Sequence, residues 1–199
     1  MKRIFLIFIF IFLFGLPSFS LTLEGSAEFD WINLEQAQRD EQISKIQTEI
    51  FNEQLVKKYN KKEFQNEYNA FLKDNNFKQT RKEIMSGKRD TEEKIITPFF
   101  AKKLLYAYGI IYKSDFYHCY YYDALGNIFN IEIFEKPYNE YPLVSKQYDK
   151  NGKLNAVIYK KGEADEFVYD ANGRFLGRWY INNYYNKNGK IIMKRDMVY

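Results

Sequence analysis

Apolar and polar residues alternate along most of the chain after residue 104, a pattern that indicates β-strands. The runs at residues 106–112 and 116–122 are rich in aromatic and β-branched residues, and both faces of the second run are apolar or aromatic. Residues 191–198 form the last run, and their charged side chains are typical of a sheet edge. The pattern predicts an antiparallel meander with 116–122 at its centre and 191–198 at its edge.

The pattern in the first half of the chain has the helical period instead. Apolar residues recur at helical spacing over residues 33–59 and again over 62–73, with a break near Asn60. Residues 78–93 are dense in charge and predict a loop or mobile link. A short strand at 94–97 and one or two helical turns over 99–105 are expected to follow. Together the two halves predict an α+β fold, in which N-terminal helices pack on a C-terminal antiparallel β-sheet of repeated hairpins.

One motif recurs four times between the predicted strands: Tyr, Asp or Asn, two variable residues, Gly, a polar residue and an apolar one. The copies begin at Tyr122, Tyr148, Tyr169 and Tyr185. Asp at the first turn position and Gly at the fourth suit a type I turn that ends in a left-handed residue. Such a turn closes a hairpin with a G1 bulge. We therefore expect hairpin tips whose structural turn residues are Asp123, Gly126, Asp149, Asn151, Gly152, Asp170, Asn172, Gly173, Asn188 and Gly189.

The N-terminus has the layout of a secretory signal peptide. Lys2 and Arg3 precede an apolar run at residues 4–16, and Pro17 and a small-x-small sequence ending at Ser20 follow. The apolar run is shorter than the roughly 18–20 residues that span a bilayer. We expect cleavage after Ser20 and export to the periplasm or beyond, with an uncleaved anchor as the alternative.

Three regions follow from these patterns: a signal peptide at 1–20, a helical region with a charged connector at 21–103, and the hairpin repeats at 104–199.

The net charge of the chain does not indicate a particular class of partner. Without Lys2 and Arg3, the 30 basic residues fall to 28 against 26 acidic ones, which does not favour a nucleic-acid partner. The aromatic content of 19% is explained by β-propensity more simply than by a binding surface.

Candidate catalytic and metal-binding residues are few. His118 is the only histidine and is next to the only cysteine, Cys119. Neighbouring residues of a strand point to opposite faces, so the two do not form a nucleophilic dyad, and we expect Cys119 to be a small buried hydrophobe. Asp149 and Asp170 invite a glycosidase pair or a calcium loop, but both already have a turn role and the distal Glu of a calcium loop is absent. We predict no catalytic residue, no metal and no cofactor.

The motif resembles the tyrosine-aspartate (YD) repeat of the Rhs family, in which Tyr-Asp-x-x-Gly-Arg-Leu recurs. Residues 169–175 are the closest copy, 148–175 are clearly similar, and the resemblance extends over about 122–199 with departures at Asn186 and in the spacing. Members of that family build β-shells from long arrays, which four copies do not achieve, so the resemblance implies hairpin geometry only. Residues 177–180 are also similar to MORN-like antitoxin repeats. Neither resemblance implies catalytic residues.

These observations predict a non-enzymatic, exported binding or scaffolding module of the cell envelope. Tyr180, Tyr184 and Tyr185 are its candidate binding surface, as exposed aromatics that stack on the sugars of an envelope polysaccharide. Another envelope protein is the other possible partner. An envelope-acting hydrolase is an alternative, and it requires two carboxylates about 5–10 Å apart in one cleft. An immunity or antitoxin-like inhibitor is a second alternative, suggested by the repeats.

Overall fold

Ten antiparallel strands form a closed barrel. The computed structural model describes residues 36–52, 61–101 and 103–196. Each strand pairs with the next one along the chain, and β1 also pairs with β10. The strands are β1 (Lys94–Ala101), β2 (Leu104–Tyr112), β3 (His118–Asp123), β4 (Ile128–Phe134), β5 (Leu143–Asp149), β6 (Leu154–Gly162), β7 (Asp165–Asp170), β8 (Phe175–Tyr180), β9 (Asn183–Asn186) and β10 (Ile191–Arg195). Three helices precede them: α1 (Gln36–Asn52), α2 (Lys61–Ala70) and α3 (Phe77–Met85).

The predicted α+β arrangement, helices packed on an open sheet, is wrong because the sheet closes on itself. β10 is not an edge: Arg195 pairs with Phe99 of β1. The predicted helical turns at 99–105 belong instead to β1 and β2. The sequence pattern did not predict a strand that continues through Pro98, because proline is disfavoured inside a sheet. The carbonyl of Pro98 accepts a hydrogen bond from Asp196 at 3.1 Å, on the β10 side, so the missing N–H does not interrupt the pairing with β2.

The four motif copies all lie at one end of the barrel. They join β3 to β4, β5 to β6, β7 to β8 and β9 to β10, and the turn from β1 to β2 is at the same end. We call this the tip end. The other four connections, of which 135–142 is the longest, lie at the opposite end, the loop end. The antiparallel hairpins predicted from the motif are confirmed.

The geometry of each tip follows from contacts between residues two to four positions apart. In the second copy the N–H of Gly152 donates to the carbonyl of Asp149, and the N–H of Asp149 donates to the carbonyl of Lys153, both at 2.9 Å. Asp149 Oδ1 accepts from the N–H groups of Asn151 and Lys153 at 2.8 and 3.0 Å. Gly152 has a φ of 71°, a left-handed value that a Cβ would strain. The same backbone bonds and left-handed glycines recur in the other copies, at Gly126, Gly173 and Gly189.

The motif tyrosines point out of the barrel and lie beneath the helices. Tyr148 packs against Phe64 of α2, with ring centroids 5.9 Å apart, and Tyr169 donates its hydroxyl to the carbonyl of Ile43 in α1 at 3.0 Å. All four are buried, with exposed fractions of 7% or less. The tyrosine that begins each copy therefore anchors the barrel wall to the helices, while the rest of the copy turns the chain.

Helix α3 occupies part of the segment predicted as a loop, residues 78–93. Its buried side chains include Thr80 and Ile84, and Ile84 belongs to the same outer cluster as Ile96 of β1. Charged residues are so abundant in this segment that the helical spacing of Thr80 and Ile84 was not recognised from the sequence. The predicted signal peptide and the predicted break at Asn60 lie outside the described residues.

Candidate functional site

A cluster of four charged side chains fills the barrel interior towards the loop end. Lys160 Nζ is 3.3 Å from a carboxylate oxygen of Glu132 and 3.1 Å from one of Glu166, and Arg195 Nη1 is 2.6 Å from the other oxygen of Glu166. Every one of these side chains is 6% exposed or less. We call these four residues the interior ion cluster.

Neutral groups add hydrogen bonds to two members of this cluster, Glu132 and Arg195. The hydroxyls of Tyr121 and Ser145 both donate to Glu132, one to each carboxylate oxygen. Arg195 Nε donates to the carbonyl of Ile181 at 3.2 Å, and its guanidinium lies 4.6 Å from the ring centroid of Trp179. Buried charges are tolerated when they are paired and hydrogen-bonded in this way.

Glu166 and Lys160 keep their charges at neutral pH. Burial alone raises the pKa of the Glu166 carboxyl, but Arg195 and Lys160 outweigh it and hold that pKa below its ordinary value. Burial alone lowers the pKa of Lys160, but the two carboxylates raise it above its ordinary value. Both shifts keep the ion pairs formed, so these groups are poor proton donors or acceptors near pH 7.

A cavity of about 30 Å³ adjoins the cluster, and Thr97, Cys119, Tyr138 and Arg195 are among the residues that line it. Arg195 Nη2 has no hydrogen-bond partner among the described residues. A cavity of this size accommodates a water molecule, whereas pockets for small molecules measure roughly 300–1,000 Å³. Burial also raises the pKa of the Cys119 thiol, so the group is not an activated thiolate. The interior therefore suits packing better than substrate turnover.

His118 and Cys119 lie on opposite faces of β3, as the alternation of strand residues predicted. The imidazole is on the outside, with Nδ1 2.7 Å from Asp115 Oδ2 and Nε2 3.5 Å from Glu67 Oε1. Cys119 is 5% exposed and belongs to an interior apolar cluster with Phe134. The prediction that Cys119 is a small buried hydrophobe is confirmed.

The expectation that Tyr184 and Tyr185 are exposed is wrong. Tyr184 is 4% exposed and points into the barrel, where its ring centroid is 5.0 Å from that of Trp179. Tyr185 is 2% exposed and packs outside against Ile43 of α1. Both are covered because β9 is an internal strand of a closed barrel and not part of an open sheet. Tyr180 is partly exposed, and its ring lies 5.2 Å from the guanidinium of Arg178.

The structure places all ten turn residues predicted from the motif in the four tips. Asp149 and Asp170 both accept hydrogen bonds from turn N–H groups. The carboxylates that do come together are Glu132 and Glu166, which share Lys160 inside the barrel. The sequence offered one signal for this pair: Glu132 interrupts the apolar run formed by Ile131, Ile133 and Phe134.

The two ends of the barrel differ in charge. The described residues of the five tip-end connections include six basic residues and no acidic one: Lys103, Lys150, Lys153, Arg174, Lys187 and Lys190. The loop-end connections and the segment that enters β1 contain seven acidic residues: Asp90, Glu92, Glu93, Asp115, Glu135, Glu140 and Glu163. The same segments contain four basic residues, Lys88, Arg89, Lys113 and Lys136, and Arg89 is buried and paired with Asp196.

Neither the described residues nor known proteins assign a chemistry. Within residues 36–52, 61–101 and 103–196, no three His, Cys, Asp or Glu side chains are grouped so as to hold a metal ion. In the same part of the chain, no helix combines the length and apolar character needed to cross a membrane. Comparison with family models, with curated proteins and with solved structures gives no significant match.

Proposed function

We propose that this protein is an exported, non-enzymatic binding or scaffolding module of the cell envelope. The observation that carries this proposal is the filled barrel interior, whose cavity of about 30 Å³ has no room for an organic substrate. A barrel of this kind presents its binding surface on the outside. Export rests on the predicted signal peptide at residues 1–20.

The hydrolase alternative receives less support. Its best carboxylate pair, Glu132 and Glu166, is 0% and 5% exposed and is neutralised by Lys160 and Arg195. A general acid in a glycosidase needs a raised pKa and access to the glycosidic oxygen, and the pKa of Glu166 is lowered. The inhibitor alternative stays a prediction, which a stable complex with a toxin encoded by a neighbouring gene would support.

The surface best suited to binding is the tip end. Its side chains carry six positive charges on short, regular hairpins. The candidate surface predicted at Tyr180, Tyr184 and Tyr185 is replaced, since two of the three rings are buried. Stacking on sugars by those rings is no longer part of the proposal.

Crosslinking and pull-down of the tagged, full-length protein from the cell envelope tests this function. We expect the protein in the envelope fraction, with an intact mass that corresponds to cleavage after Ser20, and captured with an envelope component. Recovery from the cytoplasm with residues 1–20 retained would overturn the proposal. Release of soluble sugar from purified envelope by the natural chain, and not by a Glu166→Gln variant that circular dichroism shows to be folded, would favour the hydrolase instead.

A further inference from the structure

The charge of the tip end is arranged as a ring. The hairpins β3–β4, β5–β6, β7–β8 and β9–β10 follow one another around the barrel, and closure by β1 brings Lys103 of the first turn beside the last hairpin. Asp74 is next to the ring, since its N–H donates to the carbonyl of Gly126, but its carboxylate is buried and accepts from the hydroxyl of Tyr108. The other acidic residues close to the ring are the strand-end residues Asp123, Asp149 and Asp170, which are partly buried and accept hydrogen bonds from their own turns. Arg174 also pairs with Asp170 at 3.1 Å while remaining 65% exposed. The outward-facing charge is therefore mainly positive.

Exposed leucines lie beside this ring. Leu104 and Leu125 are 73% and 71% exposed, at the tips of the β1–β2 and β3–β4 hairpins. These hairpins are neighbours because β2 pairs with β3. Leu72 is 50% exposed and is attached to the same place, since its carbonyl accepts a hydrogen bond from the N–H of Ile128 at 3.1 Å. We call these three residues the leucine corner.

We infer that the tip end docks on the surface of an anionic lipid bilayer. Each lysine or arginine close to such a surface adds about 1 kcal/mol of attraction, and apolar side chains add more when they enter the acyl boundary. The leucine corner would enter that boundary while the cationic ring contacts the headgroups. The acidic loop end then points away from the negative surface, so the polarity of the barrel also orients it. This inference rests on the proposed function and names the partner of its tip end.

Two other partners fit part of the same surface. A second copy of the chain could pair its acidic loop end with the cationic ring. Among the described loop-end connections, however, Tyr117 is the one exposed large apolar residue. A second copy would therefore leave most of the leucine corner in contact with water. A soluble polyanion accounts for the cations and not for the leucines. The bilayer is favoured because it satisfies both features.

Co-sedimentation with vesicles tests this inference on the mature chain that starts at residue 21, because the apolar residues 4–16 of the predicted signal peptide would themselves bind lipid. The probes are vesicles of phosphatidylglycerol and phosphatidylcholine in equal parts, and of phosphatidylcholine alone. We expect binding to the first that weakens steeply with salt, and little binding to the second. The double variant Lys187→Gln/Lys190→Gln should bind about 30-fold more weakly, because two exposed cations are removed. Its matched control, Lys136→Gln/Lys161→Gln, removes two exposed lysines of the loop end and should bind like the natural chain.

Substitutions in the leucine corner distinguish a lipid partner from the other partners. Leu125→Ser should weaken vesicle binding about tenfold through lost apolar burial. Met85→Ser is the control, because Met85 is equally exposed at 71% but ends α3 away from the tips. Circular dichroism checks that every variant is folded. Binding to dextran sulfate with unchanged binding by Leu125→Ser would overturn the bilayer in favour of a polyanion, and salt-sensitive oligomers in sedimentation velocity without vesicle binding would overturn it in favour of a second copy.

The vesicle experiment and the envelope experiment test the two proposals separately. Capture of an envelope protein or glycan by a chain that ignores phosphatidylglycerol vesicles would refute lipid docking and leave the proposed function intact. Vesicle binding by a chain that is never exported would support lipid docking and refute the proposed function.

Discussion

The two ends of this barrel are built by different kinds of interaction. At the tip end, each connection is held by contacts within a few residues, such as those between Asp149 and the N–H groups of Asn151 and Lys153. Towards the loop end, the interior is held by Glu132, Lys160, Glu166 and Arg195, which come from four different strands. The tips need only local sequence, whereas the interior ion cluster exists only when the barrel is closed.

Because the two ends are built differently, residues that stabilise the fold and residues that could bind a partner lie at different ends of the barrel. A buried charge that loses its partner is strongly destabilising, whereas an exposed lysine on a hairpin tip contributes little to folding. Substitutions at the interior cluster should therefore destabilise the fold, and substitutions of tip-end cations should leave its stability unchanged and alter its surface.

Removal of Glu166 should cause the largest loss of stability. Glu166→Ala leaves Lys160 and Arg195 with Glu132 as the one remaining carboxylate of the cluster, so one buried positive charge is uncompensated, at a cost of about 3–5 kcal/mol. The matched control is Glu163→Ala, in the exposed turn before β7, which should change stability by less than about 0.5 kcal/mol. Urea unfolding followed by tryptophan fluorescence measures both. Equal stabilities of the two variants would refute a structural role for the cluster.

Acid should destabilise the protein through the same group. The folded-state pKa of Glu166 lies below its ordinary value, so its contribution is fully present above the unfolded pKa of about 4.3 and is lost as pH falls through the folded pKa. Unfolding free energies measured from neutral pH into the acid range should decrease for the natural chain, and Glu166→Gln should remove part of that decrease. If both proteins show the same pH dependence, Glu166 does not carry it.

Two of the tips should differ in their tolerance of a Cβ. Gly126 and Gly189 both have left-handed φ values, 78° and 75°, so alanine at either position costs about 1–2 kcal/mol. At Gly126 a Cβ would also lie 2.7 Å from Phe77 Cδ2, whereas at Gly189 no atom lies within 4 Å. We expect Gly126→Ala to be the more destabilising by a further ~1–3 kcal/mol of overpacking in urea unfolding. Equal effects would show that α3 does not press on this tip.

The smallest stability effect is expected where a motif tyrosine holds a helix. Tyr169→Phe removes the hydrogen bond to the carbonyl of Ile43 and should cost about 1 kcal/mol. Tyr117→Phe is the control, because Tyr117 is 47% exposed in a loop-end connection. Hydrogen exchange of the α1 amides should quicken in the first variant only. Unchanged exchange would mean that Tyr169 does not anchor α1.

The sequence predicted the tip end much better than the interior. A type I turn with a left-handed glycine is specified by adjacent residues, so the hairpins at Asp149 and Asp170 were predictable from the motif. Barrel closure depends on the pairing of Phe99 with Arg195, two residues that are distant in the sequence. The burial of Tyr184 follows from that closure, since alternation along a strand shows which side chains share a face and not which face is covered.

The polarity of the barrel can be measured directly with a spin label at each end. In a Cys119→Ala background, a nitroxide is attached at Leu125→Cys in the tip end or at Tyr117→Cys in the loop end, and phosphatidylglycerol vesicles are added. We expect the label at residue 125 to become shielded from an aqueous nickel complex and more accessible to dissolved oxygen, while the label at residue 117 stays in water. Equal exposure of both labels to the nickel complex, or shielding at residue 117 alone, would contradict this expectation.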